Sequence, residues 1–225
     1  MIIMQTKHRH GMVDGRRGFS LIELALVLGI AGLVVGGIWV AAAAVYHHYK
    51  VSHALEQVQQ IVENVRARYN ATAQLPNENY TAFTQTVAQA DGFAAETKLS
   101  PNVAVAACAT CYFSNPWGVG DAAAVCGGGA VCVSAVDVFG PAVVQPRYNF
   151  AVTLRGLPQG GCVALASKFG ALWDEIGIAA MGVDGADAAV PGTVYNAPPN
   201  PATLGTDCSG ANPNNLYFIF RLQAP

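Results

Sequence analysis

From Leu24 to Val45 the chain carries 22 consecutive uncharged residues, mostly Ala, Leu, Ile, Val and Gly, with no proline. As a helix this run is about 33 Å long, against about 30 Å for the hydrocarbon core of a bilayer. Glycines at 29, 32, 36 and 37 weaken a helix in water but are frequent in membrane helices. After the run the pattern changes rather than stops. Val51, Leu55, Val58, Ile61 or Val62, Val65 and Tyr69 recur at steps of three and four, with Lys50, Glu56, Gln59, Gln60, Glu63, Asn64 and Arg66 between them. That spacing predicts one apolar stripe along the same helix. A single helix from about Phe19 to about Thr72 is expected, apolar all round in its first half and one-sided in its second, and stopped by Asn70 to Pro76.

Beyond this spine the periods are shorter. Asn77 or Asn79 can cap a second helix with Tyr80, Phe83 and Val87 on one face, ended by Asp91-Gly92. After Pro101 short apolar runs alternate with Gly, Pro and Asn turns, the pattern of a sheet. Val131–Val138 is one strand. Tyr148, Phe150, Val152 and Leu154 alternate with Asn149, Ala151 and Thr153 and make a second. Gly160–Trp173 is helical, with Cys162, Leu165, Phe169 and Trp173 along one side, and Glu175–Gly182 is a further strand. Asp184–Asn215, rich in Pro, Gly, Asn and Ala, reads as a long covering loop before a closing strand through Leu216, Phe218, Phe220 and Leu222. The class is α+β.

Charge divides the chain further. Met1–Gly18 holds Lys7, Arg9, Arg16 and Arg17 against Asp14, which leaves 8 basic and 13 acidic residues over the remaining 207. A secretory signal places its cleavage site beyond the apolar core. Here the basic segment ends at a glycine ahead of the apolar run, so cleavage there would retain the run. Positive charge before the span puts that end in the cytoplasm and the rest of the chain on the opposite side. The mildly acidic remainder gives no reason to expect specific nucleic-acid binding. Six cysteines, Cys108, Cys111, Cys126, Cys132, Cys162 and Cys208, all follow the span, and an even set in an exported domain predicts three disulfides. Cys108 with Cys111 and Cys126 with Cys132, or a crossed set among these four, are the pairings open to the first four. The CxxC spacing of Cys108 and Cys111 lacks the second close pair of a zinc ribbon and the strand-to-helix setting of a redox motif.

The hexapeptide Gly18-Phe19-Ser20-Leu21-Ile22-Glu23, preceded by Arg16-Arg17 and followed by Leu24–Val45, resembles the class III signal of type IV prepilins. The resemblance implies cleavage after Gly18 by a prepilin peptidase, methylation of the new N-terminus at Phe19, and an assembly role for Glu23. The amine at Phe19 and the carboxylate at Glu23 are four residues apart, and an amine inside lipid needs a negative partner, which the resemblance places on the next subunit. Asn115-Pro116-Trp117-Gly118, the Tyr148–Leu157 strand into Pro158, Cys162 opening a helix, Ile176–Gly185, and Cys208 before a terminal strand are similar to the type IVb pilin group. Phenylalanine at the mature start is instead typical of the IVa group. The pilin resemblance implies a C-terminal Cys162–Cys208 disulfide, a spine helix packed on an antiparallel sheet, and three parts: leader 1–18, spine 19–72 with a membrane half 21–45, and head 73–225. It implies as partners a helical homo-oligomer, membrane lipid before assembly, the prepilin peptidase, and an inner-membrane platform with a separate ATPase. The subunit would sit in the inner membrane of a Gram-negative cell before joining an extracellular pilus.

The chain has no P-loop, no dinucleotide-binding glycine pattern before a helix, no nucleophile elbow and no HExxH. No enzyme activity, cofactor or metal is therefore expected. His47, His48 and His53 fall together at the end of the apolar run, where a solvated or interfacial cluster accounts for them without a metal. Asp174-Glu175 and Asp184 with Asp187 fit exposed turns, and Trp117 and Trp173 fit core positions. Two other readings of the whole remain: a pseudopilin of a type II secretion system, told apart by the absence of visible filaments, and a membrane-tethered periplasmic enzyme or binding module, told apart by activity without the span.

Overall fold

The computed structural model describes residues 20–72, 74–76, 80–89, 114–118, 131–136, 148–183, 192–208 and 214–223. The chain divides into two compact units with the boundary between Val45 and Tyr46. Helix α1, Leu21–Tyr69, crosses that boundary. In the first unit every described residue is exposed, including Leu21, Ile22, Leu33, Trp39 and Val40. By length and composition α1 can cross a membrane.

In the second unit one stripe of α1 is buried: Val51, Ala54, Gln57, Val58, Ile61, Val62, Val65 and Tyr69. The expected stripe is present with two changes. Gln57 is buried within it, and Ala54 is buried where Leu55, one position round, is only partly buried against the core. The small Ala side chain lets neighbouring groups approach the helix where Leu would hold them off. The helix ends at Tyr69, short of Thr72, because Thr72 turns back on it: its hydroxyl donates to the Tyr69 carbonyl at 2.8 Å. Helix α2, Tyr80–Gln89, buries Phe83 and Val87, with the Phe83 ring centroid 5.8 Å from that of Tyr69. Its expected cap at Asn77 or Asn79 lies outside the described residues. The buried Thr84 hydroxyl donates to the Val133 carbonyl and accepts from the Val133 N–H, both at 2.9 Å, which joins α2 to the first strand.

The strands β1 Val131–Val136, β2 Asn149–Leu157, β3 Ile178–Val183, β4 Thr193–Tyr195 and β5 Asn214–Arg221 form one sheet in the order β1-β2-β5-β3-β4, and all pairs are antiparallel. The closing strand thus lies in the centre. Phe150, Val152 and Leu154 of β2 and Leu216, Phe218 and Phe220 of β5 face the main core, with the buried stripe of α1 and helix α3, Gln159–Ala171. The core is aromatic. Phe169 and Phe218 have ring centroids 4.1 Å apart, and Phe150 and Phe220 5.6 Å. Each such ring contributes about 1.5–3 kcal/mol by burial.

Three expectations for this region change. Tyr148 is exposed and precedes β2, and Ala151 and Thr153, which alternate with Phe150, Val152 and Leu154, are buried as well. The sheet therefore has a second buried face, formed by Ala151, Ala180, Tyr217 and Ile219. The strand expected over Glu175–Gly182 begins only at Ile178, because Gly177 takes a φ of 67° in a turn closed by the Ile178 N–H donating to the Trp173 carbonyl. Asp184–Asn215, read as a loop, contains β4 and a helix α4, Pro201–Asp207. Asn200 caps α4, its side-chain oxygen accepting from the Ala202 N–H at 2.9 Å, and Pro201 occupies the first turn. That Asn-Pro pair was the available signal; its helix is too short to show a period.

Candidate assembly and processing site

Gly18 and Phe19, the expected processing residues, lie outside the described residues. Ser20 begins the described chain, its carbonyl accepting from the Leu24 N–H at 3.1 Å. Glu23 stands exposed in the first turn of α1. A carboxylate there lies at the positive end of the helix dipole. On one side of Glu23 lies the basic leader, on the other the apolar run.

Cys162 in α3 and Cys208 just after α4 are joined, with an S–S distance of 2.06 Å and a separation of 46 residues. Both are fully buried. Cys132, buried in β1, is disulfide-bonded too, to a partner outside the described residues. Among the described residues no cysteine is free. Cys108, Cys111 and Cys126 lie outside them.

The disulfide is one of several ties on the segment between β3 and β5. Leu204 of α4 is fully buried, and the Gln159 side chain donates to the Gly205 carbonyl at 3.2 Å. A Cβ at Gly170 of α3 would sit 3.0 Å from Pro199 Cδ, so this glycine lets the segment lie close on α3. The Tyr195 hydroxyl donates to the Asp207 carboxylate. Burial, and then that hydrogen bond, push the Tyr195 hydroxyl above its usual 10.0. Because the folded value is the higher one, the stability this group contributes is complete below about pH 10 and is lost as pH rises through the folded value. Tyr195→Phe is therefore expected to cost less than about 1 kcal/mol at pH 7 and to flatten the fall in stability above pH 10. Thermal unfolding from pH 7 to 11 would check this, and a variant with an unchanged alkaline limb would count against the tie.

Asn115-Pro116-Trp117-Gly118 forms a turn braced on three sides. The Asn115 side chain donates to the Arg155 carbonyl at 2.6 Å and accepts from the Trp117 N–H at 2.9 Å, and the Gln57 side chain of α1 donates to the Ser114 carbonyl at 2.9 Å. Trp117 packs on the core beside Gly161, where an added Cβ would come within 3.0 Å of the indole. Trp173 is buried.

Arg66, one of the polar residues between the apolar positions of α1, is a structural anchor. Its Nε donates to the Arg221 carbonyl at 3.1 Å, and one terminal nitrogen donates to the carbonyls of Ile176 and Arg221 at 2.8 and 2.9 Å. The guanidinium fork thereby fixes α1 to the end of β5 and to the turn before β3. It borders a cleft of about 240 Å³ walled by Val62, Glu63, Phe169, Glu175 and Phe220 among others. Asp174 and Glu175 are exposed, and Asp184 and Asp187 lie outside the described residues. His47 is half-buried beside Gly160, His48 exposed and His53 half-buried. Among the described residues no group of three His, Cys, Asp or Glu side chains is placed to hold a metal ion.

Residues 14–39 match the family model of the prokaryotic N-terminal methylation motif. No curated protein matches the chain. Among solved structures the chain is similar to a type IVb pilin from Salmonella typhi, at 16% identity and a TM-score of 0.46, covering 77% of this chain and 99% of that one. It is also similar to TcpA, a type IV pilin from Vibrio cholerae El Tor biotype, at 16% identity and a TM-score of 0.47, covering 77% and 98%. The methylation motif thus heads a long apolar helix, and an antiparallel sheet and a C-terminal disulfide follow it.

Proposed function

We propose that the chain is a structural subunit of a type IV pilus, IVb-like in its leader and head, and not an enzyme. The observation that carries this is the methylation motif over residues 14–39, continued by an apolar helix on which every described residue up to Val45 is exposed. In water such a surface would be a large unburied apolar area. A bilayer before assembly and neighbouring copies afterwards supply what covers it. On this reading the leader 1–18 is removed after Gly18 by a prepilin peptidase and Phe19 is methylated. The spine 19–72 anchors the subunit through 21–45, and the head 73–225 forms the outer surface. A platform with its own ATPase supplies the work of extraction. Adhesion, conjugation and motility are the uses such a filament serves.

Intact mass and the N-terminal residue, from cells with and without the peptidase, test the reading. A chain beginning at methylated Phe19 only when the peptidase is present supports it, whereas an uncut chain from Met1, or one cut beyond Val45, removes it. Visible filaments separate a pilus from a pseudopilus. Glu23 is proposed to pair with the Phe19 amine of a neighbouring copy. Removing one partner of a desolvated ion pair strands the other charge. Glu23→Ala is therefore expected to leave cleaved, stable subunits and to lower filament yield by more than about tenfold. Normal piliation of that variant would refute the pairing.

A further inference from the structure

Immediately after Val45 the exposed surface of α1 changes character over two turns. Tyr46, Tyr49, Lys50 and His53 follow at i, i+3, i+4 and i+7, the spacing that places residues on one helix face. The side chains are in contact along that face. The Lys50 ammonium lies 4.6 Å from the Tyr46 ring centroid, and the Tyr49 and His53 rings are 5.9 Å apart. The core does not use the two tyrosines: Tyr46 is 60% and Tyr49 62% exposed, although Val51 and Ala54 close by are buried. Lys50 is the one Lys or Arg between Leu24 and Leu55, a stretch with no carboxylate, since Glu23 and Glu56 bound it.

We propose that Tyr46, Tyr49 and Lys50 form a headgroup-binding stripe that seats the chain at a fixed depth in an anionic phospholipid surface before assembly. The inference rests on the membrane reading given under Proposed function and names the lipid class and the residues. The occupant follows from continuity: these are the first polar residues after an apolar run long enough to fill the hydrocarbon layer, so they meet the next layer, the phosphates. Tyrosine suits that layer because its ring is apolar and its hydroxyl can donate to phosphate or ester oxygen. Lysine can lay its methylenes along the apolar surface and present the ammonium to phosphate. With no carboxylate in the stretch to compete, the local charge is positive and favours anionic over zwitterionic headgroups. His47 and His48 add imidazoles at the same level.

The test uses the full mature chain in vesicles of phosphatidylcholine alone or mixed with phosphatidylglycerol. Lipids brominated at a shallow or a deep chain position quench Trp39, seven residues before Tyr46, and so report its depth. The wild type should be quenched at a defined depth and prefer the mixed vesicles. Tyr46→Ala/Tyr49→Ala/Lys50→Gln should keep the head fold, checked by circular dichroism and disulfide mass, shift the Trp39 quenching profile, and lose roughly fivefold of the anionic preference, one basic side chain's share. Equal depth and preference in the two proteins would overturn the stripe while leaving the membrane reading intact. A wild-type Trp39 that no brominated lipid quenches would remove the membrane reading and the stripe with it. A variant normal in vesicles but unable to form filaments would assign this face to a second copy and also overturn the proposal.

Discussion

Cys162→Ala with Cys208→Ala is expected to lower the stability of the head by about 4 kcal/mol, the chain-entropy value for a cross-link closing a loop of this length. The direction follows from what the bridge joins. One end is a buried position in the first turn of α3, which packs on the central strand β5. The other closes α4, seven residues long, which buries only Leu204. A helix that short cannot persist on its own backbone bonds. It is held by the bridge, the Asn200 cap, the Gln159 contact and the Tyr195–Asp207 hydrogen bond. The other three ties are exposed or part-exposed, and each is worth about 1 kcal/mol or less. Without the bridge the unfolded chain gains freedom, and the segment 192–208 opens locally before the sheet does. Denaturant unfolding of the full chain in detergent should show a lower midpoint. Limited proteolysis should show new early cuts within 192–208 while β2 and β5 stay intact. A midpoint equal to that of the wild type would mean that α4 is held by packing alone.

What could be read from the sequence, and what could not, follows from the range of the forces involved. The spine was legible because its signals are local and repeated: an uncharged run, then apolar residues at three- and four-residue steps. The face of α3 was legible for the same reason, and Cys162, Leu165, Phe169 and Trp173 are all buried. Position 54 leaves no such signal, because Leu55 carries more apolar surface than Ala54, and only the close approach of the core to α1 selects the smaller residue. The burial of Ala151 and Thr153 is not legible, because alternation marks two faces without telling whether the second is covered. The role of Arg66 was hidden for a further reason. A guanidinium that bonds main-chain carbonyls 110 and 155 residues away leaves no pattern in its own neighbourhood. At the candidate site, the stretch 14–39 was legible, because the methylation motif is a local run of residues that needs no fold to be recognised.

Gly182→Val should be the most damaging single substitution in the sheet. In the β3–β5 register Gly182 faces Tyr217, and a Cβ built on Gly182 would fall 1.7 Å from the Tyr217 Cζ and hydroxyl oxygen. The Tyr217 ring thus lies across the strand where a side chain would otherwise stand. It cannot swing into open space, because Tyr217 is fully buried among Ala151, Ala180 and Ile219, with Thr153 opposite on β2. Ala at 182 therefore has to displace the ring, at a cost of about 1–3 kcal/mol for overpacking, and Val should cost more. The glycine itself is otherwise unfavourable in a strand interior, so the close approach is the reason it is there. Tyr217→Leu alone should also destabilise, through lost burial and the space left behind. Combined with Gly182→Ala it should cost less than the two singles together, because the shorter side chain makes room for the new Cβ. A double-mutant cycle by chemical unfolding measures this directly. A coupling above about 1 kcal/mol in the compensating direction is expected for side chains in contact. Simple additivity would mean that the ring moves aside freely, and that the second face of the sheet is less tightly covered than its full burial implies.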